Sequence, residues 1–254
     1  MTISCRIIDM LILQVFTIMG QISNNLFRIH QEIDDYALKY QRSSQSIALL
    51  CVSKTKPVAS IIEAYQSGER HFGESYAHEA DSKIQELKDN GYNDIVWHFI
   101  GPIQSNKTKI IATYFDIVES VDRIKIAERL NDQRPSELKP LDVLIQVNIS
   151  DEDQKSGCSF AQLPELIAFI KQKERLHLRG LMGIAKETDD QDEIEHSFRA
   201  LKKEFDKYHA QYPYFDILSM GMTHDMEAAI KCGTTEVRIG TAIFGPREYK
   251  HKEA

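Results

Sequence analysis

The strongest constraint on this chain is a repeating pattern, from position 47 onward, of short apolar runs separated by amphipathic helical spacing. Eight runs read as strands: 47–52 (IALLCV), 71–73, 96–100, 117–121, 141–147 (LDVLIQV), 176–184, 217–220 and 236–239. Helices are expected between them. Pro57 opens one, with Val58, Ile61, Ile62 and Tyr65 on one face and Gly68 as its stop. Tyr76, Ala80, Ile84 and Leu87 keep helical spacing, a polar-capped helix is expected from Ser105, and Ile124, Ala127 and Leu130 mark the next. Ser159 and Gln162 form a capping box ahead of Leu163. Ile194, Phe198, Leu201, Phe205 and Tyr208 mark a long helix, and a short one runs from about Asp225 to Gly233. Ahead of the first strand, Ile22, Leu26, Ile29, Ile33, Tyr36 and Tyr40 predict one more helix.

Eight strands alternating with helices predict an α/β fold, a single (β/α)8 TIM-type barrel with an additional N-terminal helix. A doubly wound sheet shares the local pattern, and the strand count tips the choice. A length of 254 residues suits one such barrel, and no linker or shift in composition divides it. One domain is expected over 19–254.

Composition narrows the function. The net charge is −7, with Lys and Arg scattered among Asp and Glu, which argues against a nucleic-acid groove or an anionic membrane surface. Cys5, Cys51, Cys158 and Cys232 are far apart, so neither a zinc site nor a disulfide framework fits, and a reducing cytoplasmic compartment is expected. The apolar stretch 10–19 (MLILQVFTIM) is too short to span a bilayer and lacks a small-x-small cleavage site. Met19 reads as an alternative initiator, which would make 1–18 a start-site extension or a disordered segment.

In such a barrel the chemistry collects at the C-terminal ends of the strands. Gly221, Gly240 and Gly245 would let backbone amides approach an anion, and Ser219, Thr223 and Thr241 add hydroxyl donors. The plain alternative is turn glycines and a helix cap. Lys54 directly follows the first strand with Lys56 nearby, and both desolvation and the second charge favour its neutral, nucleophilic form. Against this stands an ordinary solvated loop lysine. A lysine able to form a Schiff base, opposite a phosphate cup, implies a ligand with an aldehyde and a phosphate. Arg238 lies on the face of its strand opposite to Val237 and Ile239, so it must find a partner or point into the barrel mouth. A salt bridge is the alternative there. His71, His98 and His224 have no metal-ligand spacing, and His98 reads as a hydrogen-bonded core histidine.

Six segments together resemble the YggS/PROSC family of pyridoxal phosphate homeostasis proteins, whose members look like a free-standing barrel domain of alanine-racemase type. They are VSKTKP (52–57), HFGESY (71–76), WHFIGPIQSNK (97–107), LRGLMGI (178–184), LSMGMTHDMEAAI (218–230) and VRIGTAIFG (237–245). The resemblance implies pyridoxal 5'-phosphate (PLP) as cofactor, with its aldehyde on Lys54 and its pyridine nitrogen facing Arg238. It implies a phosphate held among Ser219, Thr223, Gly240 and Thr241. Ser75 stands where the family commonly has Asn, and Thr223-His224 where it has Ser-Asp. Ser75 is kept as a cofactor contact, and Thr223 retains a hydroxyl. The prolines usual after the sixth strand are missing from 183–186.

The resemblance implies a monomeric carrier that holds PLP and releases it to apo PLP-dependent enzymes, with no catalytic residue and no metal. The competing reading is an amino-acid racemase. In racemases of this fold the second base comes from an added β domain, and this sequence stops nine residues after Gly245, so the carrier is expected. A Schiff-base aldolase using Lys54 without a cofactor would leave Arg238 unexplained.

Overall fold

A computed structural model describes residues 20–150, 152 and 156–246. The apolar stretch 10–19 lies outside the described residues. The eight strands are β1 (Ala48–Val52), β2 (His71–Glu74), β3 (Val96–Phe99), β4 (Ile117–Val121), β5 (Leu141–Val147), β6 (Leu176–Gly183), β7 (Ile217–Ser219) and β8 (Glu236–Ile239). All pair in parallel, in sequence order, and β8 closes on β1 through Leu50–Arg238 and Cys51–Ile239. This is the (β/α)8 barrel expected from the strand count.

Helices return the chain on the outside. They are α1 (Gln21–Lys39), α2 (Val58–Gln66), α3 (Ala77–Asp89), α4 (Thr108–Tyr114), α5 (Ile124–Gln133), α6 (Leu163–Ile170), α7 (Gln191–His209), α8 (Met226–Lys231) and α9 (Thr241–Phe244). Alternation along the strands sorts two layers. Leu49, Cys51, Trp97, Phe99, Val118, Val237 and Ile239 join the apolar layer between barrel and helices. Their neighbours Leu50, His98, Glu119 and Arg238 face the barrel interior. That interior is unusually polar on the β3, β4, β7 and β8 side.

The N-terminal helix predicted at 22–40 is α1. It buries Leu26, Ile29, Ile33 and Ala37 and packs across α2, α8 and α9, over the seam where β8 meets β1. Its first turn is capped from another helix: Glu63 of α2 accepts from the backbone N–H of Ile22 and Ser23 at 3.0 and 3.3 Å. Gly20 makes room, since a Cβ there would lie 2.1 Å from Glu63 Oε1. The box between Ser159 and Gln162 forms reciprocally, at 3.0 and 3.3 Å, ahead of α6. The helix expected from Ser105 begins instead at Thr108. Residues 105–107 form a turn whose Ser105 carbonyl accepts from Thr108 Oγ1 and Arg129 Nε. No helix among the described residues is long and apolar enough to cross a membrane.

Candidate functional site

Lys54 lies two residues past β1, half-buried, at the second position of a tight turn closed by Lys56 N–H to Ser53 C=O at 3.0 Å. Thr55, next in that turn, has φ of 64°, a left-handed conformation that a β-branched residue rarely holds. Three groups pin the turn from outside. Glu79 accepts from Thr55 N–H at 2.7 Å, Lys83 donates to Ser53 C=O at 3.0 Å, and Ser53 Oγ donates to Glu74 at 2.7 Å. Lys83 is itself buried between Glu74 and Glu79, at 2.9 and 2.5 Å. Burial pushes the Glu74 carboxyl up, and the Lys83 charge opposes this. Lys56, the second cation of the motif, is tethered to Pro246 C=O at 2.6 Å, which ties the β1 turn to the chain after α9.

Arg238 sits below this turn, paired with Leu50 and only 4 % exposed. Its Nη1 donates to Ser219 Oγ at 2.7 Å and its Nη2 to Gly183 C=O at 2.9 Å. A guanidinium has five N–H groups, so these two bonds hold it while leaving capacity toward the mouth. The salt bridge weighed from sequence takes an indirect form: Arg238 reaches the carboxylate of Glu119 through Ser219, whose hydroxyl donates to Glu119 Oε2 at 2.6 Å.

The loops after β7 and β8 follow strands that neighbour each other and β1 in the barrel. Gly221 has φ of 97°, and a Cβ there would lie 2.5 Å from the Ala229 Cβ, so only glycine fits. Its carbonyl accepts from Arg238 N–H at 3.0 Å, and Asp225 clamps the loop by accepting from Met222 N–H at 2.5 Å. Gly240 passes so close to β1 that a Cβ would stand 3.2 Å from Val52 C=O. Thr223 and Thr241 are exposed at this rim, Thr241 opening the four-residue α9. Ser75 is half-buried one strand further round, its backbone against Gly101.

Strand order sets Lys54, Arg238, Gly240, Thr241 and Thr223 on or just after the adjacent strands β1, β8 and β7, with Ser75 after β2. Ser219 is placed differently from the expectation. It is fully buried below the rim, and both hydrogen-bonding directions of its hydroxyl are taken by Arg238 and Glu119. In this arrangement its hydroxyl holds the arginine. None of these residues lines either of two clefts formed by the loops that follow the strands. One, of about 350 Å³, is lined by Ile100, Gln146, Asn148 and Ile184. The other, of about 720 Å³, is lined by Lys186, Met222 and His224 among others.

Sequence reasoning missed the acids. Glu119 and Glu236 are buried inside the barrel, and Glu236 lies on the same strand face as Arg238, so the alternation that singled out the arginine pointed to it as well. Burial and the neighbouring Glu119 push the Glu236 carboxyl up to about 7, and its Oε1 is buried without a hydrogen-bond partner. His98 is a hydrogen-bonded core histidine, bonded to His71 at 2.9 Å and Glu119 at 2.7 Å. His98, Glu119 and Glu236 bring ligand atoms within 4.8 Å of one another. Within this group His98 and Glu119 are hydrogen-bonded to each other, whereas Glu236 Oε1 is left unpaired. The Glu79–Lys83 pair was visible as an i,i+4 pattern.

Comparison with known proteins places this geometry. Residues 34–248 match the family model of the alanine racemase N-terminal domain. The pyridoxal phosphate homeostasis protein of Escherichia coli K12 is 49% identical over 235 residues, covering 92% of this chain and 100% of the relative. That of Vibrio alginolyticus is 51% identical over 232 residues, covering 91% and 100%. PipY of Synechococcus elongatus PCC7942, solved with PLP bound, is 32% identical with a TM-score of 0.74, over 89% of this chain and 100% of PipY. Alanine racemase from Corynebacterium glutamicum, at 14% identity and a TM-score of 0.61 over 62% of its length, shares the fold. The chain belongs to the alanine racemase N-terminal-domain family and, within it, to the pyridoxal phosphate homeostasis proteins.

Proposed function

We propose that this protein holds pyridoxal 5'-phosphate at the barrel mouth as a Schiff base to Lys54 and releases it to other proteins, as a cytoplasmic element of cofactor homeostasis. PLP supplies an aldehyde that condenses with amines and, in enzymes, a ring that accepts electrons. The residues present fit such a group. Lys54 offers an amine on a rigid turn at the end of β1. The loops of Thr223, Gly240 and Thr241 offer hydroxyls and a backbone that approaches without a side chain. Ser75, after β2, is the remaining residue this reading assigns to the cofactor.

The observation that carries the reading is Arg238. It is a buried cation held by Ser219 and Gly183 on the strand next to β1, and on this reading it is the group that faces the ring nitrogen. An arginine there donates a hydrogen bond and disfavours a proton on the ring nitrogen, which weakens carbanion stabilisation. Lys54 is the one base this reading places beside the reacting carbon. Retention without turnover follows, and apo PLP-dependent enzymes are the recipients.

The purified protein should be yellow, and borohydride should fix the cofactor to the peptide containing Lys54. A reduced adduct elsewhere in the wild-type protein overturns the assignment. Loaded protein mixed with an apo PLP-dependent enzyme should restore that enzyme's activity. Incubation with L-amino acids in deuterated water should give only slow Cα exchange. Turnover above about 1 s⁻¹, within the enzymic range, would defeat the carrier reading.

A further inference from the structure

Arg238 ends a chain of hydrogen bonds that runs through the barrel interior. His71, at the start of β2 and partly exposed at the N-terminal end of the barrel, meets His98 through Nδ1 and Nε2 at 2.9 Å. His98 Nδ1 meets Glu119 Oε1 at 2.7 Å, Ser219 Oγ meets Glu119 Oε2 at 2.6 Å, and Arg238 Nη1 meets Ser219 Oγ at 2.7 Å. His98, Glu119, Ser219 and Arg238 are all at least nine-tenths buried.

These bonds fix the protons. A guanidinium only donates, so Ser219 accepts from Arg238 and passes its own proton toward Glu119. Glu119 then accepts on both oxygens, as a carboxylate. Burial would raise it, but the His98 hydrogen bond and the charges of His98 and Arg238 prevail and hold it down. Burial would lower His98, but the Glu119 bond and the charges of Glu236, Glu119 and Asp116 prevail and hold it up. His71 is pushed down to about 4 by burial and by His98, against Glu69 and Asp116, so it is the neutral acceptor for His98 Nε2–H.

A buried guanidinium needs a counter-charge. A carboxylate in direct bidentate contact would occupy the fork of Arg238. A carboxylate one hydroxyl away balances the charge and takes a single N–H. We propose that Glu119 is a positioning residue: through Ser219 it fixes the guanidinium of Arg238 and holds its counter-charge, and so sets how firmly the mouth retains the cofactor ring. This rests on the reading that Arg238 faces that ring.

Glu119→Gln keeps the shape and an acceptor for Ser219 but removes the charge. In cofactor-free protein, NMR of labelled histidine should show the His98 titration midpoint falling by about one pH unit. In loaded protein, PLP should dissociate about ten- to a hundredfold faster, with an altered pH profile of its absorbance. Ser219→Ala should speed dissociation while leaving the His98 midpoint near that of the wild type, and Ser219→Thr, which restores the hydroxyl, should rescue retention. A Glu119→Gln protein in which His98 shifts but PLP retention and its pH profile stay wild-type overturns the proposal and leaves the cofactor site standing. A wild-type protein that binds no PLP overturns both.

Discussion

Thr55 carries a strained backbone beside the lysine on which the proposed chemistry depends. A β-branched residue at φ of 64° costs on the order of 1 kcal/mol or more, and it persists because Glu79, Lys83 and Glu74 hold the turn from α3 and β2. Thr55→Gly should relieve that strain and raise stability by about 0.5–1 kcal/mol, after the larger entropy of an unfolded glycine is set against the gain. The same change should loosen the Lys54 amine and weaken PLP retention. Thermal unfolding and equilibrium binding read the two effects separately. A variant that is no more stable, or that binds as tightly as the wild type, would show that the strain serves nothing at this site. Lys54 and Arg238 were both legible in the sequence because each breaks the local pattern, a cation at a strand end and another within a strand. Ser219 was legible as a hydroxyl near the rim but not as to direction, since side-chain parity along a three-residue strand depends on where that strand begins.

Two elements after β7 and β8 present the exposed hydroxyls. On the proposed site Thr223→Ala and Thr241→Ala would each remove a donor to the phosphate, so each should weaken PLP binding by about 1.5–3 kcal/mol. Both should leave the much weaker binding of pyridoxal, which lacks the phosphate, nearly unchanged. Calorimetric titration with both ligands tests this, and equal losses for the two would place the phosphate elsewhere. At α1 the element is held from outside. Glu63 supplies the cap that Gly20 cannot, so Glu63→Ala should cost about 1 kcal/mol, with faster amide exchange confined to the first turn of α1. The apolar spacing showed α1 itself. Its cap was not visible, because the partner lies 41 residues away. The late start of α4 has a similar origin: Ser105 turns its carbonyl to Thr108 and Arg129 instead of opening a helix.

The whole barrel carries an acid in its interior that the fold tolerates at some expense. Glu236 is held at about 7 by burial and by Glu119, against an ordinary value of 4.5. Below about pH 4.5 both folded and unfolded chains keep its proton. Between about 4.5 and 7 the folded chain keeps the proton that the unfolded chain has released, so stability falls as pH rises through that window. His71, held at about 4, works in the opposite sense between 4 and 6.5, so the measurement is a difference between variant and wild type at each pH. Glu236→Gln should be more stable than wild type at pH 8 by on the order of 2–3 kcal/mol, and equal to it near pH 4.5. Denaturant unfolding across that range checks it. A variant less stable than wild type at pH 8 would mean that Glu236 is ionised and well paired in the native barrel.

The sequence by itself determined the repeat of strand and helix, the barrel it closes into, and the strand ends that carry Lys54, Thr223, Gly240 and Thr241. Those properties are local: periodicity, capping and turn chemistry act over a few residues. Only the tertiary structure decided which polar groups share the barrel interior. His71, His98, Glu119, Ser219 and Arg238 come from five different strands, and closing the sheet is what sets them in one line of hydrogen bonds. The depth of Ser219, the raised carboxyl of Glu236 and the counter-charge of Arg238 all follow from that closure, because desolvation and charge pairing depend on distance in space and not on separation along the chain.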